Sequence, residues 1–77
     1  MTLEILSPER QIFRGEADSI QLPGKDGSFG ILEHHAPIIA TLKAGIVRIV
    51  KDDEEQTFDI QGGVVEVLEN KVIVLSD

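Results

Sequence analysis

The sequence predicts a small all-β protein, an antiparallel β-sandwich of about ten short strands. Two observations indicate this fold. Apolar segments of about five residues recur along the whole chain, and glycine, proline or charged residues separate them. No segment combines the periodicity of an amphipathic helix with helix caps. The 77 residues contain neither a linker nor an internal repeat, so residues 1–77 are predicted to form one domain.

Four of the predicted strands lie in the N-terminal half of the chain. They cover Leu3–Leu6, Gln11–Arg14, Asp18–Leu22 and Ser28–Leu32. In the third strand, Ile20 and Leu22 are two residues apart, which places both side chains on one face of the sheet. The segment Pro23–Gly27 is predicted to be a turn, because proline fixes φ and glycine permits positive φ.

The C-terminal half is predicted to contain five further strands. They cover Ile38–Lys43, Ile46–Val50, Thr57–Gln61, Val64–Leu68 and Lys71–Leu75. Ala44–Gly45 and Gly62–Gly63 are predicted to separate neighbouring strands, because glycine interrupts a strand pattern. The charged segment Lys51–Glu55 is predicted to form a hairpin tip in solvent.

The composition excludes several classes of protein. Seven basic and fourteen acidic side chains give a net charge of −7, and binding to nucleic acid requires a positive surface. No apolar run approaches the roughly 20 residues of a membrane helix. The N-terminal segment has Glu4 and no basic residues, so it is not predicted to be a signal peptide. We therefore expect no nucleic-acid partner and no direct insertion into a membrane.

The adjacent histidines His34 and His35 are the first candidate for a metal or catalytic site. In an extended chain, neighbouring side chains point to opposite faces, so these two rings do not form a chelating pair. Glu33 and His35 fall on one side, but zinc needs three or four protein ligands and the chain has no cysteine. We expect instead a loop in which His35 hydrogen-bonds to the backbone ahead of Ala36-Pro37.

Three other patterns fail to predict a catalytic or cofactor site. Gly24, Gly27 and Gly30 recur at every third residue, but a strand follows them, whereas a dinucleotide fingerprint opens a helix. The acidic segment Asp52–Glu55 lacks the spaced ligands and the glycine of a calcium loop. None of the serines lies in a recognisable nucleophile motif. We expect neither catalysis by this chain alone nor a cofactor.

Several segments together resemble the epsilon subunit of the F-type ATP synthase. They are Leu22–Leu32, His35–Pro37, Leu42–Ile49 and Gln61–Val67, with Leu6–Glu9 and Phe13–Gly15 at the start. The resemblance extends over essentially the whole chain. It implies a β-sandwich that acts as a non-catalytic rotor subunit. Such a subunit links the gamma subunit of the central stalk to the ring of c subunits and supports the coupling of proton transport to ATP synthesis.

The resemblance also implies a location and two sets of contact residues. The complex is expected at the cytoplasmic side of the bacterial inner membrane, with this subunit peripheral to the bilayer. The residues expected on the side of the c-ring are Asp26, Gly27, Ser28, Gly30 and Glu33. The residues expected on the side of gamma are Ser7, His35, Ala40 and Leu42.

The chain departs from the family pattern in three places. The family has Pro-Gly where this chain has Glu33-His34, so we expect His34 to adopt a backbone conformation that favours glycine. An acidic residue is common at the position of Ser28, and Asp26 or Glu33 is expected to supply that charge here. The family continues into a C-terminal helical hairpin that can inhibit hydrolysis, whereas this sequence ends at Asp77. We therefore expect neither inhibition nor ATP binding by these 77 residues.

A second hypothesis comes from a different class of protein. It describes a free-standing β-sandwich that binds a metal or a small ligand through Glu33, His34 and His35. The metal content of the purified protein separates the two hypotheses.

Overall fold

The computed structural model describes all residues, Met1–Asp77. It contains seven strands and no helix, which confirms the all-β class. The strands are β1 (Thr2–Leu6), β2 (Gln11–Glu16), β3 (Ser19–Gly24), β4 (Gly27–Leu32), β5 (Ile38–Lys51), β6 (Glu54–Leu68) and β7 (Lys71–Ser76). The predicted count of about ten is too high, because two long strands each replace two predicted short ones.

Glycines bend the two long strands but do not end them. Lys43 pairs with Gly62 and Gly45 pairs with Ile60, so β5 and β6 keep one register through the bend. A Cβ on Gly45 would lie 2.7 Å from Cβ of Pro23, so this glycine makes room for the neighbouring strand β3. Gly62 and Gly63 have φ of 140° and 142°, which glycine adopts without a steric penalty. The predicted breaks at Ala44–Gly45 and Gly62–Gly63 are therefore sites of bending and close approach.

The strands form one continuous sheet that folds into two layers. Their order is β2-β1-β7-β6-β5-β3-β4. The first layer comprises β2, β1, β7, the C-terminal half of β6 and the N-terminal half of β5. The second layer comprises the remaining halves of β5 and β6 with β3 and β4. Because β5 and β6 run through both layers, the sandwich is closed by backbone as well as by side chains.

All neighbouring strands are antiparallel except one pair. β1 and β7 are parallel, with Leu3 opposite Val72 and Ile5 opposite Val74. These four side chains are fully buried. The parallel pair therefore brings the first and last strands together at the centre of the first layer.

The core lies between the layers and is almost entirely aliphatic. Its buried members include Leu3, Ile5, Val65, Val67, Val72 and Val74 from the first layer and Ile20, Leu22, Ile31, Val47, Ile49 and Ile60 from the second. Phe13 of β2 and Phe58 of β6 are half-buried and pack against this cluster. No buried side-chain nitrogen or oxygen lacks a hydrogen-bond partner. The packing of aliphatic side chains is therefore the main source of stability.

The two ends of the sandwich differ in their connections. The end that we call the histidine end contains the loop of residues 33–37 and the turns Asp52–Asp53 and Glu69–Asn70. All four turn residues have positive φ, as two-residue hairpin turns of the primed types require. The opposite end, which we call the hairpin end, contains the loop of residues 7–10 and the β3–β4 turn at Lys25–Asp26. The predicted charged tip at Lys51–Glu55 is confirmed, because its residues are exposed.

Candidate partner-binding surface

Glu33 holds the histidine end together through two contacts. One carboxylate oxygen pairs with the amine of Met1, and the other accepts a hydrogen bond from Nδ2 of Asn70 at 2.8 Å. The hydrogen bond from the amine, followed by the one from Asn70, lowers the pKa of the Glu33 carboxyl below its ordinary value. The Glu33 side chain is thus engaged by Met1, which precedes β1, and by the β6–β7 turn.

His34 adopts the glycine-like backbone that its place in the family pattern led us to expect. Its φ is 62°, in the left-handed region. The backbone N–H of His34 donates to Oδ1 of Asn70 at 2.8 Å, and Nδ2 of the same Asn70 donates to Glu33. One asparagine side chain therefore fixes two consecutive residues of the loop.

His35 is bound to the backbone, as predicted. Its Nδ1 lies 2.6 Å from the carbonyl oxygen of Ala36, and its backbone N–H donates to the carbonyl of Leu32. A carbonyl oxygen only accepts, so the first contact requires the ring tautomer with hydrogen on Nδ1. No group of three or more His, Cys, Asp or Glu side chains is arranged to hold a metal ion. Nothing in this loop favours the metal-binding alternative.

The residues expected on the c-ring side fall into two groups. Asp26, Gly27, Ser28 and Gly30 are exposed around the β3–β4 turn, and Nε2 of Gln21 donates to Oγ of Ser28 at 3.0 Å. Glu33 lies beyond the other end of β4, and the six residues of this strand span about 20 Å. The structure therefore brings Asp26 and Ser28 together at the hairpin end and separates Glu33 from both.

The residues expected on the gamma side lie in different parts of the structure, and their side chains are exposed to different extents. Ser7 is half-buried at the hairpin end, where its hydroxyl and the backbone of Arg10 hydrogen-bond to each other. His35 is at the histidine end. Leu42 of β5 is only 4% exposed, and Ala40 packs against the core. Contacts made by this part of β5 therefore use the alternate side chains, which point outward.

Those alternate side chains belong to an apolar surface on the first layer, which we call the apolar outer face. Its members are Ile39 of β5, Val64 and Leu68 of β6 and Leu75 of β7, with exposures of 74%, 38%, 52% and 53%. Val64 pairs with Leu75, and Glu66, which is opposite Ile39, lies between Val64 and Leu68 on the same face. Pro37 extends this surface beside Ile39 and Leu68. Four of the six exposed large hydrophobic residues of the chain are on this face, which is typical of a surface that another protein covers.

The sequence analysis did not identify the apolar outer face, although a signal was present. Thr41 and Lys43 are polar and alternate with Ala40 and Leu42, which indicates that the last two residues face the core. Ile39 is two residues before Thr41 and four before Lys43, so its apolar side chain also points to the solvent side.

No helix long and apolar enough to cross a bilayer is present.

Comparison with known families gives a match over the whole chain. A family model described as "ATP synthase, Delta/Epsilon chain, beta-sandwich domain" matches residues 1–77. A protein of Chlorobaculum tepidum named ATP synthase epsilon chain is 46% identical over 77 residues, which cover 99% of this chain and 88% of the relative. A protein of the same name from Leptospira borgpetersenii is 40% identical over 77 residues. The chain spans 61% of the length of this Leptospira relative.

Two solved structures have the same fold as this chain. A chain in the cryo-EM structure of the mitochondrial ATP synthase of Euglena gracilis superposes with a TM-score of 0.89 and 21% identity, covering 96% of this chain and 48% of that chain. A chain in the central stalk and c-ring structure of the mitochondrial ATP synthase of Tetrahymena thermophila superposes with a TM-score of 0.80 and 16% identity, covering 97% of this chain and 61% of that chain. At these identities the likeness concerns the fold, and it agrees with the β-sandwich described above.

Proposed function

The chain belongs to the beta-sandwich domain family of the ATP synthase delta and epsilon chains, and on this premise we propose that it is an epsilon-type subunit of an F-type ATP synthase. In this role it links the gamma subunit to the ring of c subunits in the central stalk and supports the coupling of proton transport to ATP synthesis. The observation that carries the proposal is the match of all 77 residues to this family, together with epsilon chains that are 40–49% identical.

The proposed role is mechanical rather than catalytic. A subunit that transmits torque needs a rigid body and surfaces for its neighbours. The two layers share the backbone of β5 and β6, and the core between them is continuous. The subunit belongs to a membrane complex but is itself peripheral, and we expect it at the cytoplasmic side of the bacterial inner membrane. We expect it to require no cofactor.

The contact with gamma is proposed to involve the apolar outer face and both ends of the first layer. Ala40 and Leu42 anchor β5 in the core, and this orients Ile39 and Thr41 toward the partner. Ser7 and His35 flank the face at opposite ends of the sandwich. Apolar side chains that are half or more exposed, such as Ile39, Leu68 and Leu75, gain stability when a partner covers them.

The contact with the c-ring is proposed to involve the hairpin end at Asp26, Gly27, Ser28 and Gly30. Asp26 supplies the negative charge that family members often carry at the position of Ser28. Gly27 and Gly30 allow another backbone to approach closely, because they have no side chain. Glu33 lies too far from this tip to reinforce its charge. We therefore propose that Glu33 holds the loop of residues 33–37, which carries His35.

Reconstitution tests the proposal directly. The chain is added to ATP synthase that lacks its epsilon subunit, in vesicles energised by a proton gradient, and ATP synthesis is measured beside hydrolysis by the soluble catalytic complex. We expect restored synthesis, no suppression of hydrolysis and no binding of ATP in a titration. Failure to associate with gamma and the c-ring of the same organism would contradict the proposed role. Strong inhibition of hydrolysis would contradict the expectation that these residues do not inhibit.

A further inference from the structure

The two layers of the sandwich leave four strand edges unpaired. They are β2 and the N-terminal half of β5 in the first layer, and β4 and the N-terminal half of β6 in the second. An unpaired edge presents backbone N–H and C=O groups to which another extended chain can add. The four edges therefore differ only in how well each is protected against such addition.

Three of the four edges have features that are known to hinder the addition of another strand. β2 carries the charged side chains of Arg14 and Glu16, and the exposed half of β6 carries Glu54, Glu55 and Asp59. The edge of β5 is short, because Pro37 precedes it and the carbonyl of Thr41 accepts a hydrogen bond from the N–H of Lys25.

The β4 edge, Gly27–Leu32, is protected only at its end, where the carbonyl of Leu32 accepts a hydrogen bond from the N–H of His35. Its sequence GSFGIL contains no charged residue and no proline. Leu32 is 66% exposed, and Ser28 and Gly30 are exposed.

The pairing of β4 with β3 identifies the backbone groups that point outward. The turn at Lys25–Asp26 is closed by the pair Gly24 and Gly27, and hydrogen-bonded pairs alternate along an antiparallel ladder from there. Pro23 is opposite Ser28 and has no N–H to donate, in agreement with this alternation. The N–H and C=O groups of Ser28, Gly30 and Leu32 therefore point away from β3. The contact from the N–H of His35 to the carbonyl of Leu32 confirms the outward direction at that end.

The charge of the protein selects between possible occupants of this edge. The strand itself is uncharged, Lys25 and Asp26 precede it, and the Glu33 carboxylate that follows it is paired with the Met1 amine. The whole chain has a net charge of −7. A second copy of the chain would bring another −7 to the same edge, and like charges oppose such pairing. A partner segment with basic residues at its ends is attracted to a protein of this net charge.

We infer that β4 is a docking site for an extended, basic segment of another polypeptide, which adds to the second layer as a further strand beside Ser28, Gly30 and Leu32. Backbone hydrogen bonds hold the added strand, and the negative field of the protein attracts its basic ends. Gly30 has no side chain on the outer face of the layer, so the partner's side chains have room there. The inference concerns the way a segment binds, and it does not depend on which subunit of a complex supplies that segment.

The test is amide hydrogen exchange of the 77-residue protein, measured by NMR with and without a synthetic peptide. The probe is a short peptide of alternating threonine and valine with lysines at both ends. We expect exchange at Ser28, Gly30 and Leu32 to slow by about tenfold or more at saturating peptide, with no comparable change on β2. The same peptide with methylated central backbone nitrogens should have no effect, and glutamates in place of the lysines should weaken the effect.

A pair of variants at Gly30 provides the matched control. Gly30→Pro removes one outward N–H without removing a bond to β3 and should abolish the effect of the peptide. A Cβ on Gly30 would meet only the Ile20 carbonyl, at 3.8 Å, so Gly30→Ala keeps both the N–H and the space and should retain the effect. If Gly30→Pro fails to fold, the comparison of methylated and unmethylated peptide on the unmodified protein still decides the question.

Three results would overturn the inference. They are unchanged exchange at saturating peptide, an equal effect of the methylated peptide, and protection of these amides by protein concentration alone, which would identify a second copy as the occupant. None of them bears on reconstitution with gamma and the c-ring, so failure of this inference is distinguishable from failure of the proposed function.

Discussion

Phe13 of β2 and Phe58 of β6 meet across the two layers, with ring centroids 5.2 Å apart and ring planes tilted by 52°. Both rings are half-buried, so each change to alanine should lower the free energy of unfolding by about 2 kcal/mol, less than at a fully buried site. A double-mutant cycle measured by urea unfolding should give a coupling of about 0.5–1.5 kcal/mol. Strictly additive effects would show that the ring contact itself contributes nothing.

The carboxylate of Asp18 accepts the backbone N–H of Asp52 at 2.9 Å and lies 3.5 Å from Nζ of Lys51. The hydrogen bond from Asp52, opposed by partial desolvation and assisted by Lys51, lowers the pKa of Asp18 below its ordinary value of 3.8. A lowered folded-state pKa means that the stabilisation is fully present above the unfolded-state pKa and is lost as the pH falls through the folded-state pKa.

We therefore expect Asp18→Asn to be less stable than the unmodified chain at pH 7, and the difference should shrink as the pH falls below 3.8. Thermal unfolding at a series of pH values measures it. Asp53→Asn at the exposed tip is the control, because the Asp53 carboxylate has no hydrogen-bond or ion-pair partner. A difference that stays constant from pH 7 to pH 2 would rule out the ionised carboxylate as the cause.

Gly63 and Gly30 are predicted to differ sharply in their tolerance of alanine. Gly63 has φ of 142°, and a Cβ there would collide with the backbone carbonyl of Leu75 on β7. Gly63→Ala should cost more than about 2 kcal/mol of stability, because both the backbone and the β6–β7 ladder would have to shift. Gly30→Ala should change stability by less than about 0.5 kcal/mol. Chemical denaturation of both variants provides the measurement, and equal effects would contradict the geometry at Gly63.

His34 is predicted to be a position where glycine is tolerated better than a branched residue. Its φ of 62° is strained for a residue with a Cβ, and most strongly for a β-branched one. His34→Val should destabilise the protein by about 1–2 kcal/mol. His34→Gly should be neutral or stabilising by up to about 1 kcal/mol. The ranking is checked by thermal unfolding, and a valine variant as stable as the glycine variant would refute it.

The gamma subunit of the same organism should raise the melting temperature of this protein. Binding at 100 times the dissociation constant stabilises the folded state by about 2.7 kcal/mol, which corresponds to roughly 10 °C or more for a domain of this size. Ile39→Lys on the apolar outer face should remove most of the shift. Ile46→Lys, on the outer face of the other layer, is the matched control and should leave the shift intact. If both variants respond equally, the apolar outer face does not bind gamma.

The short-range pattern of the sequence predicted most of the fold. The alternation of apolar and polar residues placed Ile20 and Leu22 on one face of the sheet, and both are buried. The same reasoning failed at Gly45, because a glycine that makes room for Pro23 has the same sequence signature as a glycine that ends a strand. Only the neighbouring strand distinguishes the two, and strand order is not a local property.

The candidate contact residues were less predictable. They were assigned by resemblance to a family, and a resemblance does not show which residues lie close together in space. His34 was correctly expected to adopt a glycine-like backbone, since that constraint is local. Glu33 was expected to add charge near Ser28, but its carboxylate is engaged by Met1 and Asn70 at the other end of β4. Residues that are close in sequence lie far apart when a strand runs between them.

The parallel pair of β1 and β7 has a consequence for synthesis of the protein. β1 leaves the ribosome before its partner β7, because five other strands lie between them in the chain. At about 5–20 residues per second, Leu3 and Ile5 remain without their β7 neighbours for about 4–15 s of translation. The nascent chain therefore carries an aliphatic strand that lacks one of its two neighbours until β7 has been made. The sheet therefore closes only after Lys71–Ser76 has been made.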